Sequence, residues 1–113
     1  MKNWTLRFRA IDKENFDELM SGIKTIETRA ATTKYQPIEV GDTLTFTCED
    51  ERFMKTITKK YIWPSIDEML GEVPMQSVMP SVNSVKEMKE EYSSYSGYNE
   101  KIREFGLLGF EVK

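Results

Sequence analysis

Short runs of alternating apolar and polar side chains, each closed by turn residues, constrain this chain more than any other feature, because a period of two fits a strand and not a helix. Trp4-Thr5-Leu6-Arg7-Phe8-Arg9 sends Trp4, Leu6 and Phe8 to a core and leaves Arg7 and Arg9 on the polar face. Thr43–Cys48 repeats the pattern with Leu44, Phe46 and Cys48. After the charged reversal Glu49-Asp50-Glu51, the run from Arg52 to Ile62 puts Phe53, Ile57 and Tyr61 on one parity until Pro64 stops it, so the two runs predict a hairpin. Thr25-Ile26-Glu27-Thr28-Arg29 is β-branched and alternating, which places Thr25, Glu27 and Arg29 on one face and Ile26 and Thr28 on the other. Leu107–Val112 predicts a closing strand.

Helices fall between these runs. Asp12 is positioned to cap one whose apolar residues are Phe16, Leu19, Met20 and Ile23, with Gly22 supplying the left-handed turn at its end. Ser65-Ile-Asp-Glu68 and Ser84-Val-Lys-Glu87 both fit the capping box, predicting a helix ending at Gly71 and another running to about Ser93. The segment 72–83 between them is long, low in charge and contains Met75 and Met79, which marks it as a candidate binding loop. Strand, helix, three strands, two helices and a last strand predict an α+β fold, a small closed or half-closed β-barrel with helices at its edges. With 113 residues the expectation is one domain over 1–113.

Composition limits the chemistry. There is no histidine and one cysteine, Cys48, so Ser-His and Cys-His pairs, histidine-ligated metals and cysteine-built zinc sites are excluded, and neither metal nor cofactor is expected. Cys48 reads as a buried thiol. No apolar run reaches signal-peptide or membrane-span length, so a cytoplasmic protein is expected. The net charge of −3 argues against holding a long polyphosphate track by overall charge. Residues 1–35 nonetheless carry seven basic against five acidic side chains, while 36–113 carry nine against fourteen, so polyanion contacts belong to the first third.

The densest polar constellation is Gly22-Ile-Lys24-Thr25-Ile-Glu27-Thr-Arg29. Two readings are open: a solvated Glu27–Arg29 ion pair worth under about 1 kcal/mol, or a site built from amine, hydroxyl, carboxylate and guanidinium. Alternation does not decide where Lys24 points, since it precedes the strand. Arg7, Arg9, Lys24, Arg29 and Lys34 are candidates for phosphate contacts, and Trp63, Tyr92, Tyr95 and Tyr98 for stacking on bases. Ordinary packing is the alternative for each aromatic, most plainly for Trp63 before Pro64. Tyr98, in a loop with Ser96 and Gly97, is the least explained by a core. Met75 and Met79 either line a pocket or fill the core, and Lys59-Lys60 reads as solvated.

Trp4-x-Leu6-x-Phe8, Gly22-x-Lys24-Thr25-x-Glu27-x-Arg29, Val40-Gly41-Asp42 before a Leu-x-Phe strand, Ser84-x-x-Glu87 running into tyrosines, and Gly106 before the last strand together resemble the ASCH domain, a branch of the PUA-like superfamily. The resemblance implies a small PUA-like β-barrel of five to six strands with two to three edge helices, and a cleft into which the Lys24–Arg29 segment projects. It also implies an RNA-related function, and the reading taken here is binding of RNA, or of a modified or unmodified nucleotide or nucleoside, in a cleft formed by Lys24–Arg29 and the loops 72–83 and 94–100. Lys24, Thr25, Glu27 and Arg29 match the polar positions of the motif, and Arg9, Ser81, Ser84 and Tyr98 complete the candidate ligand-binding set. One subgroup of the family hydrolyses N4-acetylcytidine with a lysine, a threonine three residues later and a glutamate before the third helix. Here Lys24 is kept, but Glu27 stands at the threonine and Ser81 at the glutamate. The alternative to a binding module is therefore a hydrolase of this kind, or a weak metal-independent ribonuclease, with Lys24 and Glu27 as its catalytic pair.

Overall fold

The computed structural model describes residues 1–113 and places five strands in one sheet. These are β1 (Asn3–Phe8), β2 (Ile26–Ala30), β3 (Thr43–Cys48), β4 (Glu51–Trp63) and β5 (Leu107–Val112), in the spatial order β1-β3-β4-β5-β2. β1 runs parallel to β3 and every other pair is antiparallel. β4 is the pivot. Its first half pairs with β3 from Glu51 to Thr56, its second half with β5 from Ile57 to Trp63, and a bulge between Ile57 and Lys59 falls where the partner changes. An extra residue in one strand sharpens local twist, and the sheet curls into a half-barrel. The seam is left unzipped: β1 pairs only with β3 and β2 only with β5, yet the Arg29 Nη2 lies 3.4 Å from the Arg7 carbonyl across the gap.

Two apolar clusters pack on opposite faces of this sheet. The inner one joins Leu6, Leu44, Phe46, Ile57, Leu108 and Phe110 to Phe16 and Leu19 of α1 (Lys13–Ser21). The outer one joins Ile26, Ala30, Tyr61, Trp63 and Leu107 to the helices α2 (Ile66–Leu70), α3 (Met75–Val78), α4 (Val85–Ser94) and α5 (Tyr98–Phe105). β5 is buried on both faces, which is why Leu107 and Leu108 stand side by side. Gly109 is there because the Trp63 ring lies on it: a Cβ would come within 2.6 Å of that ring.

The architecture is the expected α+β half-barrel, with five helices where two or three were predicted. α3 is a single turn, too short to show a period, whereas α5 carries Tyr98, Ile102 and Phe105 at helical spacing, so that Tyr98, expected in a loop, opens a helix. Segment 72–83 is accordingly less open than predicted, since Val73, Val78 and Met79 are buried in the outer cluster. Around α1 the reading needs two corrections. Gly22, at φ +89°, ends the helix as expected, but this throws Ile23 off the helical period; Ile23 and Met20 are exposed. Asp12 makes no side-chain cap, because its carboxylate is taken by Arg9 Nε at 2.7 Å. Both serine caps form, Ser65 accepting from the Glu68 amide and Ser84 from the Glu87 amide. No helix is long and apolar enough to cross a membrane.

Candidate functional site

Alternation along β2 decides what faces the seam. Ile26 and Ala30 turn to the outer cluster, and Thr28 joins them through a hydrogen bond between its hydroxyl and that of Tyr92. Glu27 and Arg29 turn to the other face, into the open side of the half-barrel. Lys24, before the strand, folds in beside them instead of pointing to solvent.

The three side chains form one buried ionic unit. Lys24 Nζ is 3.0 Å from Glu27 Oε1, and Arg29 Nη2 and Nε lie 3.0 and 3.1 Å from Glu27 Oε2. Lys24 and Glu27 are each 4% exposed at the side chain and Arg29 13%. The solvated-pair reading of this segment is thereby corrected. Asn15 of α1 accepts a further hydrogen bond from Lys24 Nζ at 3.2 Å. Arg29 is sandwiched by aromatic faces, its guanidinium carbon 5.2 Å from the Phe8 ring centroid and 5.7 Å from that of Tyr35. Burial alone pushes the Glu27 carboxyl up, but the neighbouring Lys24 and Arg29 charges and their hydrogen bonds outweigh it, leaving Glu27 below the usual carboxylate range. Burial likewise works against the Arg29 charge and Glu27 outweighs it, so Arg29 is held more firmly protonated than usual.

Above this unit, in the seam between β1 and β2, is a cavity of about 290 Å³. Its walls come from Arg7, Phe8 and Arg9 of the β1 end, Tyr35, and the α4–α5 junction with Tyr92, Tyr95, Ser96 and Tyr98. The three junction tyrosines form an edge-to-face series, with centroids 6.2 Å apart for Tyr92–Tyr95 and 5.3 Å for Tyr95–Tyr98. Burial raises all three hydroxyl pKa values, so they are neutral donors and acceptors.

Of the residues singled out in the sequence, Lys24, Glu27, Arg29, Arg7, Arg9, Met79, Tyr92, Tyr95 and Tyr98 line this cavity, and Lys34 and Met75 do not. Thr25 does not: β2 begins at Ile26, and Thr25 is exposed with its amide bonded to the Ser77 carbonyl. Ser81 lines a neighbouring cavity and is hydrogen-bonded to Glu18, and Ser84 is occupied as the α4 cap. Trp63 packs away from the seam, stacked on Tyr61 at 4.8 Å with its indole N–H on Glu72 at 2.6 Å. Sequence reasoning missed Asn15 and Tyr35. Tyr35 had a signal, a lone aromatic in the otherwise polar segment 30–37; Asn15 had none, since its role depends on where α1 docks. Asp42, read only as a turn residue, is a structural hub whose carboxylate accepts from the Lys2 and Glu39 amides and the Trp4 indole, tying the start of β1 to the turn before β3.

The chain is thus an α+β half-barrel with a charged unit buried beneath a cavity at its seam. The family model for the ASCH domain matches residues 10–113, and the chain belongs to that family. The crystal structure of hypothetical protein PH0355 superposes with a TM-score of 0.81 at 24% identity, covering 100% of this chain and 98% of that one. The solution NMR structure of protein PF0455 from Pyrococcus furiosus gives a TM-score of 0.74 at 25% identity, covering 100% and 96%. No curated protein matches.

Proposed function

We propose that this chain is an RNA-related binding module, one domain over 1–113, that holds a nucleoside or nucleotide unit in the seam cavity. The observation that supports it best is the Lys24–Glu27–Arg29 unit beneath that cavity. Burying three charges is an expensive way to fill space, and replacing such groups with well-packed apolar side chains is often neutral or stabilising. A fold needs no such unit there; a ligand with hydrogen-bonding edges and a negative group does. Two cations around one carboxylate leave an excess positive charge, and Tyr35, Tyr95 and Tyr98 offer ring faces and hydroxyls at the rim. At about 290 Å³ the space is at the small end of small-molecule sites, roughly 300–1,000 Å³, so it suits one nucleoside and not a stretch of strand. Membership of the ASCH family agrees with an RNA-related ligand.

Bond cleavage is the less favoured reading. Both oxygens of Glu27 are engaged by cations, so it is a poor proton shuttle, and a lysine base would have to give up the ammonium that holds Glu27. Ser81, at the position of the subgroup's glutamate, is spent on Glu18 in the neighbouring cavity.

Calorimetric titration with the four ribonucleosides, N4-acetylcytidine and a short RNA, beside product analysis of the same mixtures, tests this. Saturable binding without turnover is expected, with much of the affinity kept in Lys24→Arg, which preserves the charge but cannot release a proton near neutral pH. Wild-type turnover that vanishes in folded Lys24→Arg while affinity persists would assign Lys24 to proton transfer and overturn the binding reading.

A further inference from the structure

The seam cavity has neighbours of opposite charge. At the end formed by β1 and Tyr35, the exposed Arg7 and Lys34 belong to none of the chain's ion pairs. The Lys34 ammonium stands 5.3 Å from the Tyr35 ring centroid, and the Arg29 guanidinium bridges this end to the cavity floor, 3.4 Å from both the Tyr35 hydroxyl and the Arg7 carbonyl. At the opposite end, across Asn15 and Met79, which line both spaces, lies a second cavity of about 400 Å³. Its charged lining is Glu14 and Glu18 of α1 and Glu87, Glu90 and Glu91 of α4, with no basic residue among them.

A strand occupying the seam cavity with an internal nucleotide must send its backbone out in both directions, one negative charge per phosphate. One exit passes Arg7 and Lys34, where phosphate is welcome. The other passes five carboxylates, whose like charge repels phosphate and disfavours that path. Resting on the reading of the seam as a nucleoside site, we infer that it takes a nucleotide bearing phosphate on one side only, the phosphate lying at the Arg7–Lys34 end. A free nucleoside monophosphate and the terminal residue of an RNA share this chemistry; an internal residue does not.

The experiment compares four sets of probes by calorimetry at low salt: the four ribonucleosides, their 5′- and 3′-monophosphates, a mixed-sequence RNA octamer, and the same octamer circularised so that it has no end. A monophosphate is expected to bind at least about tenfold more tightly than its nucleoside, the scale of hydrogen bonds to a charged group. The circle is expected to bind at least about tenfold more weakly than that monophosphate. A linear octamer that matches the monophosphate assigns the strand end, and one as weak as the circle assigns the free nucleotide. Lys34→Gln, outside the cavity lining, is expected to reduce the advantage of monophosphate over nucleoside while leaving nucleoside affinity and the unfolding midpoint unchanged, and adding Arg7→Gln is expected to abolish that advantage. Glu14→Lys with Glu90→Lys, at two exposed positions outside every ion pair, is expected to admit the circle. A circle that binds wild type as tightly as the monophosphate overturns the one-sided assignment and leaves the nucleoside site standing. Folded protein that binds none of the probes overturns both.

Discussion

Glu27 carries more of this structure than any other single side chain, because both of its oxygens compensate buried cations. Glu27→Gln leaves Lys24 and Arg29 without their anion and is expected to cost about 3–5 kcal/mol, read as a lowered urea midpoint. The same pairing sets an acid limb. The folded carboxyl lies below its ordinary value of 4.5, so its contribution is complete above that pH and is lost as pH falls through the folded value. Unfolding midpoints measured from pH 7 down to 2 should fall steeply in the wild type at the acid end and less steeply in Glu27→Gln. Two glycines matter for a different reason. Trp63 is pinned by Tyr61 and Glu72, so Gly109→Ala, which sets a Cβ within 2.6 Å of its ring, is expected to cost about 1–3 kcal/mol. Gly106→Ala should cost more: its φ +85°, ψ −167° backbone is essentially reserved for glycine, and the new Cβ would stand 2.7 Å from the Trp63 carbonyl oxygen, which cannot swing aside.

At the scale of elements, the α4 cap separates structure from ligand contact. Ser84 was a candidate binding residue, but its hydroxyl accepts from the Glu87 amide and it stands away from the seam. Ser84→Ala is expected to lower stability by about 1 kcal/mol and to leave ligand affinity at the seam unchanged; an affinity loss larger than the stability change would return Ser84 to the site. Element boundaries were readable where a residue does something local. Ser65, Ser84 and Gly22 mark helix ends through bonds and backbone angles made within a few positions, and the structure keeps all three. α5 left a signal that was easy to pass over: Tyr98, Ile102 and Phe105 fall at helical spacing, but the helix is only eight residues long and follows a tyrosine, serine and glycine run that reads as a loop.

For the molecule as a whole, charge is distributed more tellingly than its total suggests. Arg7, Arg9, Lys24 and Arg29 line the seam and five glutamates the groove beside it, within a net charge of −3. Affinity for a linear RNA should therefore fall only gently with salt. At about −0.7 per phosphate for single strands, two to four contacts give a log–log slope between about −1.4 and −2.8. Titration of a labelled octamer at several salt concentrations checks this, and a slope steeper than −4 would mean a backbone track the seam does not contain.

What the sequence determined by itself is what depends on near neighbours in the chain: the strand runs, the capped helices, the left-handed turn at Gly22, and the sharing of one β2 face by Glu27 and Arg29. It also supplied the Lys24–Arg29 motif, though without saying whether those charges were wet or buried. Only the tertiary structure decided that, because burial of Lys24 and Glu27 depends on Asn15 arriving from α1, on Phe8 and Tyr35 covering Arg29, and on the α4–α5 junction closing over the seam. The exclusion of Thr25, Ser81 and Ser84 from the cavity was settled at the same level. A side chain's periodicity tells which face it takes, and the desolvation that turns a charged triplet into a buried ionic unit comes from elements far away in the chain that fold against that face.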